Sequence, residues 1–132
     1  MTGMWRLLVC IFIGSGLGGT LRYLTSVTIE YVYGHNLTWA LPWSTLLVNI
    51  AGCFIFGLIY GLSQFLTISE GWRLGLTTGL CGGLTTFSTF SYETLSMIQR
   101  GQLLNASVYT IISVAVGIAA AALGIMLVRL SR

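Results

Sequence analysis

The amino-acid sequence predicts an all-α membrane protein with four transmembrane helices per subunit, the third of them broken. Of the 132 residues, 55% are hydrophobic and only 7% are charged, whereas soluble domains usually carry about 25% charged residues. So little charge cannot coat a water-facing surface. Four long apolar stretches also alternate with short loops, and each has room for the roughly 20 residues that a membrane-spanning helix needs.

The predicted helices form one domain that occupies residues 1–132. The first is interrupted by Arg22, the second starts near Pro42, which suits the first turn of a helix, and the fourth is closed by Arg129 and Arg132. Because the loops are short, neighbouring helices are expected to pack antiparallel, with both termini on one side of the membrane. The predicted bounds are about 5–32, 42–66, 74–98 and 102–128.

The third segment contains a glycine pair followed by hydroxyl and aromatic side chains. From Gly79 to Ser91 it reads GLCGGLTTFSTFS. Paired glycines and neighbouring β-branched threonines both weaken a helix, which predicts a break between Gly82 and Thr86. Broken backbone at membrane depth is tolerated only where protein or water satisfies it, and discontinuous transmembrane helices commonly expose carbonyls to cations and amides to anions.

Two stripes of side chains follow the predicted break. Phe87 and Phe90 are three residues apart, as are Ser88 and Ser91, so each pair lies on one helix face. Two phenylalanines alone are usually core or lipid-facing residues, and serines in helices usually bond to their own backbone. Their density beside a glycine break favours a functional role.

The second and fourth helices each carry a polar face. Thr45 and Asn49 are spaced by four residues on the second, and Tyr109 and Ser113 are spaced likewise on the fourth. An intramembrane asparagine most often joins helices by hydrogen bonds, but its amide is equally able to donate to an anion. The hydroxyl groups extend the supply of donors.

Two charged residues are candidates for an ion vestibule. Arg22 lies inside the first apolar segment, where charge is costly enough to indicate function, although an arginine that extends to the membrane surface would explain it too. Glu93 ends the polar string of the third helix. It is expected to pair with an arginine or to cap a vestibule.

Composition and motifs exclude several other classes of protein. Six well-separated arginines against three acids give a net charge of only +3, unlike a nucleic-acid-binding surface. No metal-ligand spacing joins the three cysteines. His35, expected in a loop, has no nucleophile and acid grouped with it by any motif. The sequence therefore predicts neither an enzyme nor a nucleic-acid partner.

Small residues recur four apart, which favours close helix contacts. The contacts would form either within one subunit or between subunits, and a lone monomer could hardly enclose an ion path, which argues for an oligomer. The pairs are Gly14 and Gly18, Gly57 and Gly61, Gly79 and Gly83, and Ala120 and Gly124.

The string from Gly82 to Ser91 closely resembles the signature of the bacterial fluoride channel family, called Fluc or CrcB. The strings from Gly18 to Arg22 and from Ser44 to Asn49 fall where that family has similar ones. The resemblance covers essentially the whole chain. It implies a dual-topology homodimer in the bacterial inner membrane, with two fluoride pores and a central sodium ion.

The resemblance also implies roles for individual residues. Backbone carbonyls of Gly82 and Thr85 from both subunits would hold the sodium ion. Phe87 and Phe90 would present their positive ring edges to fluoride. The remaining residues of the predicted pore are Thr45, Asn49, Ser88, Ser91, Tyr109 and Ser113.

Two features depart from that family pattern. Gly117, the next position after Ser113 on the polar face of the fourth helix, lacks the hydroxyl expected in some members. The arginines also favour the side of the termini over the other side, which has Arg100 and, if it reaches its interface, Arg22. On the side of the termini lie Arg6, Arg73, Arg129 and Arg132. Dual insertion ordinarily goes with a weaker bias.

The predicted function is passive, fluoride-selective export that protects the cell from fluoride toxicity. The alternative is a small proton-coupled drug exporter, which is also a four-helix protein and often a dual-topology dimer. Such a pump needs a carboxylate in the membrane, and Glu93 is the one plausible candidate. A membrane subunit without transport activity is a third alternative, but it would leave the polar string unexplained.

Overall fold

The computed structural model describes residues 2–34 and 41–131, and all regular structure within these ranges is helical. His35 and Arg132 lie outside the described residues. Three of the helices are long and apolar enough to span a membrane. The helices are α1 Thr2–Tyr33, α2 Trp43–Ser63, α3 Glu70–Leu74, α4 Gly82–Leu84, α5 Phe87–Gln99 and α6 Leu103–Leu130, and a π-helical segment covers Gly75–Cys81.

Helix boundaries follow local sequence signals. Pro42 precedes the first residue of α2, and its carbonyl accepts from the Leu46 N–H over 3.1 Å. Gly101 has a φ of +74°, a left-handed conformation that favours glycine. The N–H of Gln102 then donates to the Met97 carbonyl over 2.9 Å, which closes α5 in the manner of a Schellman motif and starts α6.

The segment predicted as the third membrane helix consists of four pieces rather than one helix. α3, the π-helical segment and α4 follow one another directly, and α5 starts after two extended residues, Thr85 and Thr86. The interruption lies inside the predicted interval from Gly82 to Thr86. The wider π-helical turns before it have no counterpart in the sequence analysis, and such turns are frequent at functional sites.

Glycines allow the helices of one subunit to approach closely. A side chain at Gly83 would lie 2.5 Å from the Ser15 carbonyl of α1, and one at Gly124 would lie 2.5 Å from the Phe54 carbonyl of α2. The small residues therefore pack α1 on the third segment and α2 on α6. For these pairs the structure decides between the two alternatives in favour of contacts within one subunit.

The outer surface of the bundle is apolar. Phe12 and Tyr31 of α1 are 80% and 90% exposed, and Leu130 at the end of α6 is 78% exposed. A soluble protein rarely exposes so much contiguous apolar surface. Together with the three long apolar helices, this surface identifies a multi-pass membrane protein.

A small cluster of buried side chains packs against Phe90 of α5. It joins α2, α5 and α6, and Tyr109, which is 0% exposed, is its largest member. The cluster therefore fixes three helices around the polar residues described next. Its buried residues are Leu46, Met97, Ala106 and Tyr109.

Candidate functional site

The break in the third segment is formed by two threonines in extended conformations. Thr85 has φ −79° and ψ 155°, and Thr86 has φ −148° and ψ 114°. The Thr86 hydroxyl then caps α5, because its Oγ1 accepts from the Thr89 N–H over 3.2 Å. Threonine suits both tasks, since its branched Cβ favours extended backbone and its hydroxyl is a good helix cap.

The break leaves a group of backbone carbonyls free. The Thr85 N–H still donates to the Cys81 carbonyl over 2.9 Å, but the Thr86 N–H donates to Oδ1 of Asn49 over 2.7 Å. Within residues 2–34 and 41–131, no group donates to the carbonyls of residues 82–85. Four hard oxygen acceptors are therefore available at this point.

Asn49 of α2 bonds to both sides of Thr86. Besides accepting from the Thr86 N–H, it donates through Nδ2 to the Thr86 carbonyl over 3.3 Å. The sequence left two roles open for this residue, namely joining helices and donating to an anion. The structure places it between helices, and one of its two amide hydrogens has no partner among the described residues.

Three aromatic rings form a row from the break to α6. The Phe87 and Phe90 centroids are 5.9 Å apart, and those of Phe90 and Tyr109 are 5.2 Å apart. Phe90 is half-buried on Tyr109, whereas Phe87 is 80% exposed. The predicted aromatic stripe therefore exists, and one of its rings lies on the outer surface of the subunit.

The Glu93 carboxylate accepts hydrogen bonds from two of the hydroxyl groups that were predicted to line the pore. Thr45 donates to Oε1 of Glu93 over 2.8 Å, and the Tyr109 hydroxyl donates to Oε2 over 2.7 Å. Glu93 was predicted either to pair with an arginine or to cap a vestibule. Among the described residues its hydrogen-bond partners are these two hydroxyl groups and not an arginine. Thr45, Glu93 and Tyr109 join α2, α5 and α6.

Two cavities border this network. One, of about 280 Å³, is lined by Arg22, Thr45, Thr86 and Thr89 among others. The other, of about 460 Å³, is lined by residues that include Glu93 and, near the end of α5, Arg100. The Thr45 to Glu93 hydrogen bond therefore joins a wall of one cavity to a wall of the other.

The predicted hydroxyl groups differ in what they contact. Ser91 donates to the Phe87 carbonyl over 2.8 Å, so its bond returns to its own helix. The Ser88 Oγ lies 3.4 Å from the Thr86 hydroxyl. The Ser113 hydroxyl, one turn beyond Tyr109, is buried and has no partner among the described residues. Of these three serines, Ser113 alone is a buried donor left free for a ligand.

Comparison with known proteins decides the family. Residues 9–125 match the family described as "CrcB-like protein, Camphor Resistance (CrcB)". The chain belongs to the CrcB family. This match agrees with the resemblance of the string from Gly82 to Ser91.

Relatives of this CrcB-family chain come from distant organisms. A Phocaeicola vulgatus protein is 46% identical over 118 residues, which are 89% of this chain and 94% of that protein. A Pyrococcus abyssi protein is 44% identical over 120 residues, 90% and 93% of the two chains. A Leptospira interrogans protein is 38% identical over 123 residues, 92% and 94% of the two chains. All three are named "Fluoride-specific ion channel FluC".

A cation at the break of this CrcB-family chain would have to use backbone oxygens. The described residues contain no group of three or more His, Cys, Asp or Glu side chains able to hold a metal. The free carbonyls of residues 82–85 are hard, neutral ligands, which suit a hard cation such as sodium and not a thiophilic metal. Gly82 is exposed, and a side chain there would meet only the Thr77 carbonyl, at 3.9 Å. The free carbonyls at this exposed position fit the implied ion.

Thr86 and Thr89 are two residues of the site that were not predicted from the sequence. The Thr86 hydroxyl donates to that of Thr89 over 2.9 Å, and both residues line the cavity with Arg22. Their spacing of three residues directly after the break is the signal that could have identified them, since it is the spacing of a helix cap.

Gly117 ends the polar face of α6, where it lies next to Cys53.

Proposed function

We propose that this CrcB-family protein is a fluoride-selective channel that releases fluoride passively and protects the cell from its toxicity. The observation that carries the proposal is a membrane-embedded helix break surrounded by amide and hydroxyl groups, with a buried Ser113 hydroxyl that no described residue uses. The names of the relatives support fluoride as the ion.

The residues at the break suit a small, strongly hydrated anion. Fluoride can leave water only where hydrogen-bond donors replace its hydration shell, and Asn, Ser, Thr and Tyr side chains carry such donors. The edges of the Phe87 and Phe90 rings are weakly positive, so they can face an anion without holding it as tightly as a buried arginine would. Conduction needs binding that is strong enough for entry and weak enough for exit.

We further propose that the channel is a homodimer of oppositely inserted subunits. Phe87 is 80% exposed in the single subunit, and Gly82 and Ser88 beside the break are also exposed. A second copy related by a twofold axis would cover these residues and enclose the pores. It would also bring the Gly82 and Thr85 carbonyls of both subunits together, which gives four oxygen ligands for one structural sodium ion on the axis.

Arg22 and Glu93 belong to the vestibules in this proposal. Arg22 lines the smaller cavity and attracts anions toward the Thr86 and Thr89 hydroxyls. Glu93 holds the Thr45 and Tyr109 hydroxyls, so fluoride reaches these donors only when the carboxylate releases them. The carboxylate thereby limits how long an anion stays at this end of the pore.

Efflux from liposomes tests the channel against the drug exporter. Vesicles that hold fluoride and the purified protein, with potassium and valinomycin to balance charge, are predicted to release fluoride without a proton gradient. Vesicles without protein are the control. Drug uptake that requires a proton gradient, with no fluoride release, would favour the exporter instead.

Dual insertion has its own test because the arginine bias opposes it. A single cysteine replaces the exposed Gln102 between α5 and α6, in a variant whose three native cysteines are serine or alanine. Dual insertion predicts that a membrane-impermeant thiol reagent labels this position from each side of the membrane. Labelling from one side alone would show a single orientation.

A further inference from the structure

The peptide unit between Thr85 and Thr86 is fixed by a side chain of another helix. The two hydrogen bonds of Asn49 satisfy both the N–H and the C=O of Thr86, and Thr86 is only 8% exposed, so protein rather than water satisfies this backbone. From this geometry we infer that Asn49 positions the Thr85 carbonyl, in addition to its proposed place in the anion path. The inference rests on the proposed function, because that carbonyl is a ligand of the proposed cation site.

The direction of the Thr85 carbonyl follows from the planarity of the peptide bond. The Thr85 C=O and the Thr86 N–H belong to one peptide unit, and the described residues contain no cis peptide bond. In a planar trans peptide the C=O and N–H groups point in opposite directions. Because Asn49 Oδ1 holds the N–H over 2.7 Å, the Thr85 carbonyl points away from Asn49.

The side chain of Thr85 is also held in place by contacts with its neighbours. Gly52 lies one turn beyond Asn49 on α2, and the Thr85 Cγ2 methyl occupies the space that a side chain at Gly52 would need. The Thr85 hydroxyl donates to the Cys81 carbonyl over 2.9 Å. With its methyl, hydroxyl and peptide group all in contact, Thr85 has little freedom to turn its carbonyl.

The same asparagine would therefore serve two ions. Its Oδ1 and one Nδ2 hydrogen bond to Thr86. The second Nδ2 hydrogen has no partner in the part of the chain that the structure describes, so it can donate to an anion. A ligand-orienting hydrogen bond outside the coordination shell commonly changes metal affinity about 10- to 100-fold when it is lost. Removal of the Asn49 side-chain oxygen is accordingly expected to weaken sodium binding as well as fluoride conduction.

Two substitutions separate these roles. Asn49→Asp keeps an oxygen that accepts from the Thr86 N–H but removes the amide donor and favours a negative charge, so fluoride conduction should be lost while the Thr85 carbonyl stays oriented. Asn49→Leu removes both the acceptor and the donor, so both properties should be lost. Asn105→Asp and Asn105→Leu, at an asparagine near the start of α6 whose side chain has no hydrogen bond among the described residues, are the matched controls.

The test measures sodium binding without reference to flux. Thermal unfolding of the purified dimer is followed against sodium concentration, with N-methylglucamine as the replacement that keeps ionic strength constant. The sodium concentration that gives half of the full stabilisation is expected to rise at least about tenfold in Asn49→Leu, and to stay near the wild-type value in Asn49→Asp and in both Asn105 variants. Asn49→Ser, whose side chain is too short to reach Thr86, replaces the leucine variant if that variant does not form a dimer.

Hydrogen exchange of a peptide covering residues 82–89 supplies a second measurement. The Thr86 amide should lose protection in Asn49→Leu and keep it in Asn49→Asp. An unchanged sodium midpoint in Asn49→Leu, or unchanged protection of Thr86, overturns the inference. A wild-type dimer that is indifferent to sodium overturns it together with the cation site, whereas fluoride efflux from liposomes separately decides the proposed channel function.

Discussion

Tyr109→Phe isolates the hydrogen bond between α6 and Glu93. Tyr109 is 0% exposed and donates to Glu93 over 2.7 Å. Phenylalanine keeps the ring that packs on Phe90, so the substitution removes the hydroxyl and little else. Hydrogen bonds to charged groups contribute about 1.5–3 kcal/mol. Because Glu93 also lines a cavity that water can enter, we expect a loss near the lower end, about 1.5 kcal/mol.

The free energy of unfolding of the purified protein in detergent measures this loss. Tyr31→Phe is the control, since Tyr31 is 90% exposed and surface changes usually stay within about 0.5 kcal/mol. Combining Tyr109→Phe with Glu93→Gln in a double-mutant cycle reports the coupling between the two residues. A Tyr109→Phe protein as stable as the Tyr31→Phe control would refute the role given to this bond.

Three further predictions concern flux from liposomes. Asn49→Leu should abolish fluoride efflux while the protein still folds and dimerises, and wild-type flux would remove Asn49 from the pore. Phe87→Ile and Phe90→Ile keep bulk but lose the positive ring edge, so efflux should fall sharply. Normal efflux in both variants would show that the rings serve only in packing. Ser113→Ala removes a buried hydroxyl without a partner, so efflux should fall while stability is kept or raised. A loss of stability in that variant would mean that Ser113 is structural.

The sequence predicted the elements that depend on length and on local backbone preference. Of the four apolar runs predicted to cross a membrane, three form helices that are long and apolar enough to do so. The glycine pair at Gly82 and the threonine pair at Thr85 predicted an interruption, and α4 and α5 are separated at Thr85 and Thr86. These features follow from neighbouring residues, so one sequence suffices to find them.

Contacts between distant residues were beyond the reach of the sequence. Thr45 and Glu93 are 48 positions apart, and no spacing rule brings their side chains to 2.8 Å. The two hydrogen bonds of Asn49 to Thr86 likewise depend on how α2 lies against the break. The π-helical turns at Gly75–Cys81 depend on backbone hydrogen-bond register, which no single residue type specifies.

The reversal potential of the protein in a planar bilayer tests the central claim most directly. A fluoride gradient is set across the membrane while chloride and proton gradients are varied independently. A passive, fluoride-selective channel predicts a reversal potential that follows the fluoride gradient and ignores the other two. A reversal potential that follows the chloride or the proton gradient would contradict the account. So would the absence of any current across the bilayer with fluoride present.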